Sequence, residues 1–166
     1  MVKDFYKRFG QAEVIRDLWI GEIYSSIDYD YLVENNIKLV INMTTSRVPI
    51  ALRKRDIEYI RFGLEDESFT DDKIRIAYHQ RFMAAAKIID ERRRMFPDDG
   101  ILIHCIAGIN RSATALAYYL VLYRNWSYDD AVSILTAINK KERKIPCLTN
   151  KDFRSLIKEV AGRYQD

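Results

Sequence analysis

Cysteine is scarce in this sequence, with two residues, Cys105 and Cys147, that stand in unrelated contexts. They show none of the close spacings of zinc ligands, and two cysteines do not make a disulfide framework. Free thiols survive best in a reducing compartment, so the cysteine content favours a cytoplasmic protein. We therefore expect neither a metal centre nor a cofactor.

Long apolar runs are also missing. No stretch approaches the roughly 18 apolar residues of a membrane span, and the charged N-terminus does not resemble a signal peptide. Repeats, low-complexity tracts and linkers are absent from the 166 residues, which predicts one folded domain over residues 13–166. The net charge of +3 suits an anionic substrate but argues against a nucleic-acid partner, whose binding surfaces are more strongly basic.

The most informative stretch is residues 104–112, which read His-Cys-Ile-Ala-Gly-Ile-Asn-Arg-Ser. A short apolar run, Gly100 to Ile103, precedes it and predicts a buried strand, whereas residues 113–120 have the composition of a helix. A loop that leads from a strand into a helix directs several backbone N–H groups to one point, which favours anion binding.

Two side chains of this loop are suited to phosphate chemistry. The planar guanidinium of Arg111 can hold two phosphate oxygens at once. In the same positive field the thiolate of Cys105 is favoured below the usual thiol pKa of about 8.5, and Ser112 can donate a hydrogen bond to its sulfur. Gly108 allows a tight curl. The predicted phosphate-binding residues are Ile106, Ala107, Gly108, Ile109, Asn110, Arg111 and Ser112.

The pattern His-Cys-x-x-Gly-x-x-Arg-Ser resembles the signature of the cysteine-dependent protein phosphatases. Residues 105–112 look like the phosphate-binding loop of a dual-specificity phosphatase, and the resemblance extends weakly over about residues 13–160. It implies metal-independent hydrolysis of phosphotyrosine and phosphoserine or phosphothreonine in partner proteins, through a phosphocysteine. The chain is much shorter than tyrosine-only relatives and has no obvious tyrosine-recognition loop.

The resemblance also implies a general acid, an aspartate on a loop before the cysteine. Asp66 matches the pattern best and lies 39 residues before Cys105, somewhat farther than the family leads us to expect. An acidic loop with a purely structural role is the alternative to a catalytic one. The resemblance further implies that His104 is a conformational partner of the cysteine. The rival acids are Glu65, Glu67, Asp71 and Asp72.

Apolar strands alternate with helices along the chain, which predicts an α/β fold with a central, mostly parallel sheet flanked by helices. The phosphate-binding loop then lies between a central strand and a helix. Thr149-x-x-Asp152 has the form of a capping box that opens the last helix. The predicted strands are 13–20, 37–43, 57–62 and 100–103, and the predicted helices are 28–34, 70–96, 112–124, 127–140 and 149–163.

The N-terminal residues 1–12 form a separate helical segment in this prediction. Its aromatic side chains must pack on the chain's own core or on a second copy. Its placement is similar to the helix through which viral phosphatases of the vaccinia type form swapped dimers, so a homodimer is one expectation. A viral protein of this kind would work in the host cytoplasm or the virion.

Three other activities share parts of this pattern. Asn110 is compatible with an alternative function, an RNA 5′-triphosphatase, whereas Ala107, Ser112 and the modest net charge weigh against it. Phosphoinositide hydrolysis would favour lysines within the loop, and none is present. A phosphoprotein-binding module without turnover is disfavoured by the intact Cys105 and Arg111. Cys147 is expected to pack inertly rather than to form a regulatory disulfide.

Overall fold

The computed structural model describes residues 10–164 and contains one five-stranded sheet with the order β1-β2-β5-β3-β4. Strand β1 runs antiparallel to β2, and all other neighbours are parallel. The predicted α/β class with a mostly parallel sheet is therefore confirmed. The strands are β1 (Gln11–Ile15), β2 (Leu18–Gly21), β3 (Ile37–Thr44), β4 (Glu58–Leu64) and β5 (Gly100–His104).

Helices cover both faces of the sheet. The short helix α1 packs on one face, and the four later helices contribute to the large core on the other. Strand β5 is buried on both faces, which explains its continuous apolar sequence. The helices are α1 (Tyr29–Glu34), α2 (Asp72–Met95), α3 (Arg111–Arg124), α4 (Tyr128–Ile138) and α5 (Lys151–Tyr164).

The predicted first strand, residues 13–20, is wrong in one respect, because it is two strands. The chain reverses at Arg16-Asp17, where Asp17 adopts a left-handed backbone with φ of 63°. Apolar residues flank this polar pair on both sides, so the sequence reads as one interrupted strand. The reversal leaves β2 paired in parallel with β5 and makes β1 the sheet edge.

The sheet places four strand ends beside one another. Because β2, β3, β4 and β5 are parallel, their carboxyl ends lie at the same edge, and β5 lies between β2 and β3. The loop after β5 therefore begins in the middle of this edge. Of the predicted N-terminal helical segment, residues 1–9 lie outside the described residues. Its boundary at residue 12 is wrong, because Gln11 and Ala12 already belong to β1.

Candidate active site

The loop after β5 joins Cys105 to the first residue of α3, Arg111, as the sequence predicts. Cys105 is almost fully buried. Its Sγ lies 3.2 Å from the hydroxyl of Ser112 and accepts a hydrogen bond from the Gly108 amide at 3.2 Å. Burial by itself raises the pKa of this thiol, but the Arg111 guanidinium and the donors of Ser112 and Gly108 lower it below its usual value. The structure thus favours a thiolate.

The carbonyl groups of the loop are bonded on its outer side. The Ile106 carbonyl accepts from the Ile23 amide at 2.9 Å, and the Ile109 carbonyl accepts from the Leu148 amide at 2.9 Å. The C=O and N–H of one peptide unit point in opposite directions. The amides that follow these carbonyls therefore face the inner, concave side of the loop, where an anion can bind.

Arg143 holds the two middle carbonyls, and sequence reasoning missed it. This guanidinium is buried at 4% exposure and donates to the carbonyls of Ala107 at 2.6 Å and Gly108 at 2.7 Å. Burial lowers its pKa to about 10, so it stays charged at neutral pH. Arg143 lies among lysines in a stretch that reads as a solvated charge run. No local signal identifies it.

Position 108 requires a glycine for two reasons, its backbone conformation and the lack of space for a side chain. It has a φ of 73°, in the left-handed region. A Cβ added there would come within 2.6 Å of the Gly21 carbonyl and of the Arg143 guanidinium. The glycine therefore allows the outer side of the loop to approach the backbone of the neighbouring strand.

Arg111 is buried at 7% exposure and joins the loop to β4. Its Nη1 donates to the carbonyl of Leu64, the last residue of β4, at 2.9 Å. Its Nε is buried and has no hydrogen-bond partner among the described residues. A buried guanidinium N–H without an acceptor is costly, so this donor favours an anionic ligand in the loop.

Asp66 follows β4 and contacts the loop through Asn110. One carboxylate oxygen accepts from Nδ2 of Asn110 at 2.7 Å, and the other accepts from Nδ2 of Asn150 at 2.9 Å. Of the predicted acids, Asp66 is thus bonded directly to a residue of the loop. This geometry supports its selection over its neighbours.

The other candidate acids have structural partners. Glu65 accepts from the Thr45 hydroxyl at 2.8 Å, and Glu67 accepts from the Tyr78 hydroxyl at 2.7 Å. Asp71 is the N-cap of α2, and Asp72 lies in the first turn of that helix. Carboxylates at a helix N-terminus complement the helix dipole.

The predicted capping box at Thr149 is wrong, because Asn150 caps α5. The side-chain oxygen of Asn150 accepts from the amides of Asp152 and Phe153 at 3.0 and 3.1 Å. The Thr149 hydroxyl instead bonds to the side chain of Asn110. Both residue types can cap a helix, and the contact with Asn110 decides between them.

His104 and Cys147 flank the loop without an ionised side chain. Burial lowers the pKa of His104 to about 4; the hydrogen bond to the Cys105 carbonyl opposes this shift, and the charge of Arg111 adds to it as the smallest effect. Burial raises the pKa of Cys147 to about 12. His104 is therefore neutral at physiological pH, and Cys147 is a protonated thiol of low reactivity.

Within residues 10–164, no three acidic, histidine or cysteine side chains cluster in a way that would hold a metal ion. The same residues contain no helix of the length and apolar character that a membrane crossing requires.

Comparisons with known proteins agree with this geometry. The family described as "Dual specificity phosphatase, catalytic domain" matches residues 18–161. Dual specificity protein phosphatase Mpk3 of Drosophila melanogaster is 31% identical over 118 residues, which are 71% of this chain and 27% of the relative. Human dual specificity protein phosphatase 6 is 30% identical over 124 residues, 75% of this chain and 30% of the relative.

The chain therefore spans less than a third of the length of these relatives. Among solved structures, that of DUSP15 superposes with a TM-score of 0.75 at 25% identity, covering 92% of this chain and 88% of that chain. A mouse dual specificity phosphatase complexed with zinc tungstate gives a TM-score of 0.78 at 20% identity, covering 95% and 89%. At 20% identity, this second comparison shows a shared fold alone.

Proposed function

Because the chain belongs to the dual specificity phosphatase family, we propose that it hydrolyses phosphotyrosine and phosphoserine or phosphothreonine in proteins, through a phosphocysteine at Cys105. The observation that carries this proposal is the pairing of a depressed thiol pKa at Cys105 with the unpartnered Nε of Arg111. A nucleophile and a free anion donor at the same loop fit a phosphate monoester.

The first step transfers the phosphoryl group to the enzyme. The Cys105 thiolate attacks phosphorus, and the bond to the bridging oxygen breaks. The carboxylic acid form of Asp66 gives its proton to that leaving oxygen. The loop amides and Arg111 hold the other phosphate oxygens, on which charge is concentrated in the transition state.

The second step releases phosphate. Water attacks the phosphorus of the phosphocysteine, and the Asp66 carboxylate accepts the proton from that water. The bond from phosphorus to sulfur breaks, and Cys105 leaves as a thiolate that Ser112 and Gly108 stabilise by hydrogen bonds. Both steps balance without a metal or a cofactor.

The test is one parallel assay with EDTA in excess. It compares a phosphotyrosine peptide, a phosphothreonine peptide and 5′-triphosphate RNA, with Cys105→Ser as the blank. We expect turnover of both peptides, and the blank to be inactive while still binding inorganic phosphate. Preference for the RNA would instead identify a 5′-triphosphatase, and binding without turnover would identify a phosphoprotein-binding module.

A separate assay tests the acid. Asp66→Ala is expected to lower kcat about 100-fold on a phosphotyrosine peptide, within the usual range for loss of a general acid. The effect should be small on an activated aryl phosphate, whose leaving group needs no proton. Unchanged kcat on the peptide would assign the proton transfer to another acid.

The dimer and the cytoplasmic location stay predictions. A dimer through the N-terminal segment would appear in light scattering as twice the chain mass of 19.6 kDa. Removal of residues 1–9, which leaves β1 (Gln11–Ile15) whole, should return the monomer. A monomeric full chain would contradict the dimer.

A further inference from the structure

Asn110 occupies the N-cap position of α3, but its side chain does not cap the helix. Asparagine is among the residues most favoured at this position, where its oxygen normally accepts a backbone amide of the first turn. Here the side chain turns across the site and donates to Asp66 at 2.7 Å. The residue is therefore used for a contact between the phosphate-binding loop and the acid loop.

The orientation of the Asn110 amide is fixed by its other partner. Its Oδ1 accepts from the backbone amide of Asn150 at 3.0 Å. A backbone N–H can only donate, so the oxygen must face Asn150 and the NH₂ group must face Asp66. The donor to the carboxylate cannot be exchanged for an acceptor by rotating the amide.

We propose that Asn110 is a positioning residue that holds the Asp66 carboxyl in the orientation for proton transfer. The inference rests on the proposed function, in which Asp66 is the acid. Asn110 is the neighbour of Arg111 in the chain, so one peptide bond connects the side chain that binds phosphate to the one that orients the acid. The Asp66 carboxyl is thereby held against the same loop that binds phosphate.

Asn150 holds the second oxygen of the Asp66 carboxylate. Nδ2 of Asn150 donates to the other oxygen of Asp66 at 2.9 Å and to the Glu67 carbonyl at 3.0 Å. Each carboxylate oxygen thus keeps one lone pair free to carry the transferred proton. Asn150 also caps α5, so its loss would disturb folding, whereas the side chain of Asn110 can be removed without removing a cap.

The test compares Asn110→Ala with the parent enzyme on two classes of substrate. On a phosphotyrosine peptide we expect kcat to fall about 10-fold, less than the about 100-fold expected for loss of the acid itself, because Asp66 is displaced but still present. KM and the inhibition constant for orthovanadate should stay within about twofold, because the cradle uses the backbone N–H of residue 110, which alanine keeps, and not the side chain. On an activated aryl phosphate kcat should change less than about twofold.

A double-mutant cycle with Asp66→Ala separates positioning from other roles. If Asn110 acts through Asp66, Asn110→Ala causes no further loss in the Asp66→Ala background. An equal loss in both backgrounds, or a weakened orthovanadate affinity, would mean that Asn110 supports the cradle itself, and the proposal would be wrong.

Ser127→Ala is the matched control, since it truncates a polar N-cap residue of another helix beyond the far end of α3. Ser127 does cap, because its hydroxyl accepts from the Asp130 amide at 3.0 Å. We expect this variant to lower the melting temperature and leave kcat unchanged on both substrates.

The outcomes also separate the two proposals. If the parent enzyme hydrolyses neither phosphopeptide, the proposed function fails and the positioning role fails with it. If the peptides are hydrolysed but Asp66→Ala has no effect, the phosphatase stands and the positioning proposal is overturned.

Discussion

Replacing Arg143 by methionine tests how the phosphate-binding loop is held. Methionine keeps the length and apolar stem of the side chain but donates no hydrogen bonds. The change removes donors to the carbonyls of Ala107 and Gly108 and to Oδ1 of Asn139, at 2.6, 2.7 and 3.1 Å. We expect both stability and catalysis to fall.

The magnitude follows from what each acceptor retains. Breaking a buried charged network by removing one partner costs about 3–5 kcal/mol. The Gly108 carbonyl keeps a bond from Nδ2 of Asn139 at 3.2 Å, and Ala107 is only half-buried, so water can bond its carbonyl. The loss should therefore lie at the lower end, about 3 kcal/mol in the free energy of unfolding.

Urea unfolding, followed by the fluorescence of Trp19 and Trp126, measures this loss. The kcat on an activated aryl phosphate shows whether the loop keeps its active geometry. The matched control is Arg94→Met, because the Arg94 side chain is 70% exposed and pairs with Asp90 on the helix surface. This surface pair should contribute less than about 0.5 kcal/mol. A loss below about 1 kcal/mol for Arg143→Met, with kcat retained, would refute the reasoning that Arg143 orients the loop carbonyls.

Three further predictions concern the same site. At pH 7, iodoacetamide should modify Cys105 before Cys147, because thiolate forms above the pKa, which is lowered for Cys105 and raised to about 12 for Cys147; mass spectrometry of the digest locates the label. Lowering the pH from 6.5 to 4 should cost up to about 3 kcal/mol through His104, since the unfolded chain takes up this proton near pH 6.5 and the folded chain only near 4. In urea unfolding at both pH values, the free energy of unfolding of His104→Asn should depend less on pH than that of the parent protein. Gly108→Ala should lose about 2 kcal/mol through backbone strain and contact with the Gly21 carbonyl, and thermal unfolding without loss would contradict that contact.

The parts of the site that the sequence predicts are those that lie close together in the chain. Cys105 and Arg111 belong to one strand–loop–helix unit, whose apolar strand and helical spacing are local signals. Asp66 is distinguished from several neighbouring acids only by its resemblance to the family pattern. The structure adds the contact with Asn110, which depends on how β4 and β5 pair with β3.

The parts that the sequence does not predict depend on distant backbone groups. Arg143 bonds to the backbone carbonyls of residues 107 and 108. Every residue has a backbone carbonyl, so the sequence does not indicate which ones an arginine will bind. Thr149 and Asn150 are both competent caps, and only the tertiary contact with Asn110 distinguishes them. The turn at the left-handed Asp17 is missed for a similar reason, because it is fixed by the pairing of β2 with the distant strand β5.

The outward bonding of the loop carbonyls has a consequence for turnover. Their partners are the protein's own amides and the Arg143 guanidinium, so the concave side is formed before any substrate arrives. A preformed cradle for a tetrahedral dianion accepts the released phosphate as readily as the phosphate of the substrate. Free phosphate should therefore compete with any phosphate monoester for the loop, and discrimination among such ligands must come from surfaces outside the loop.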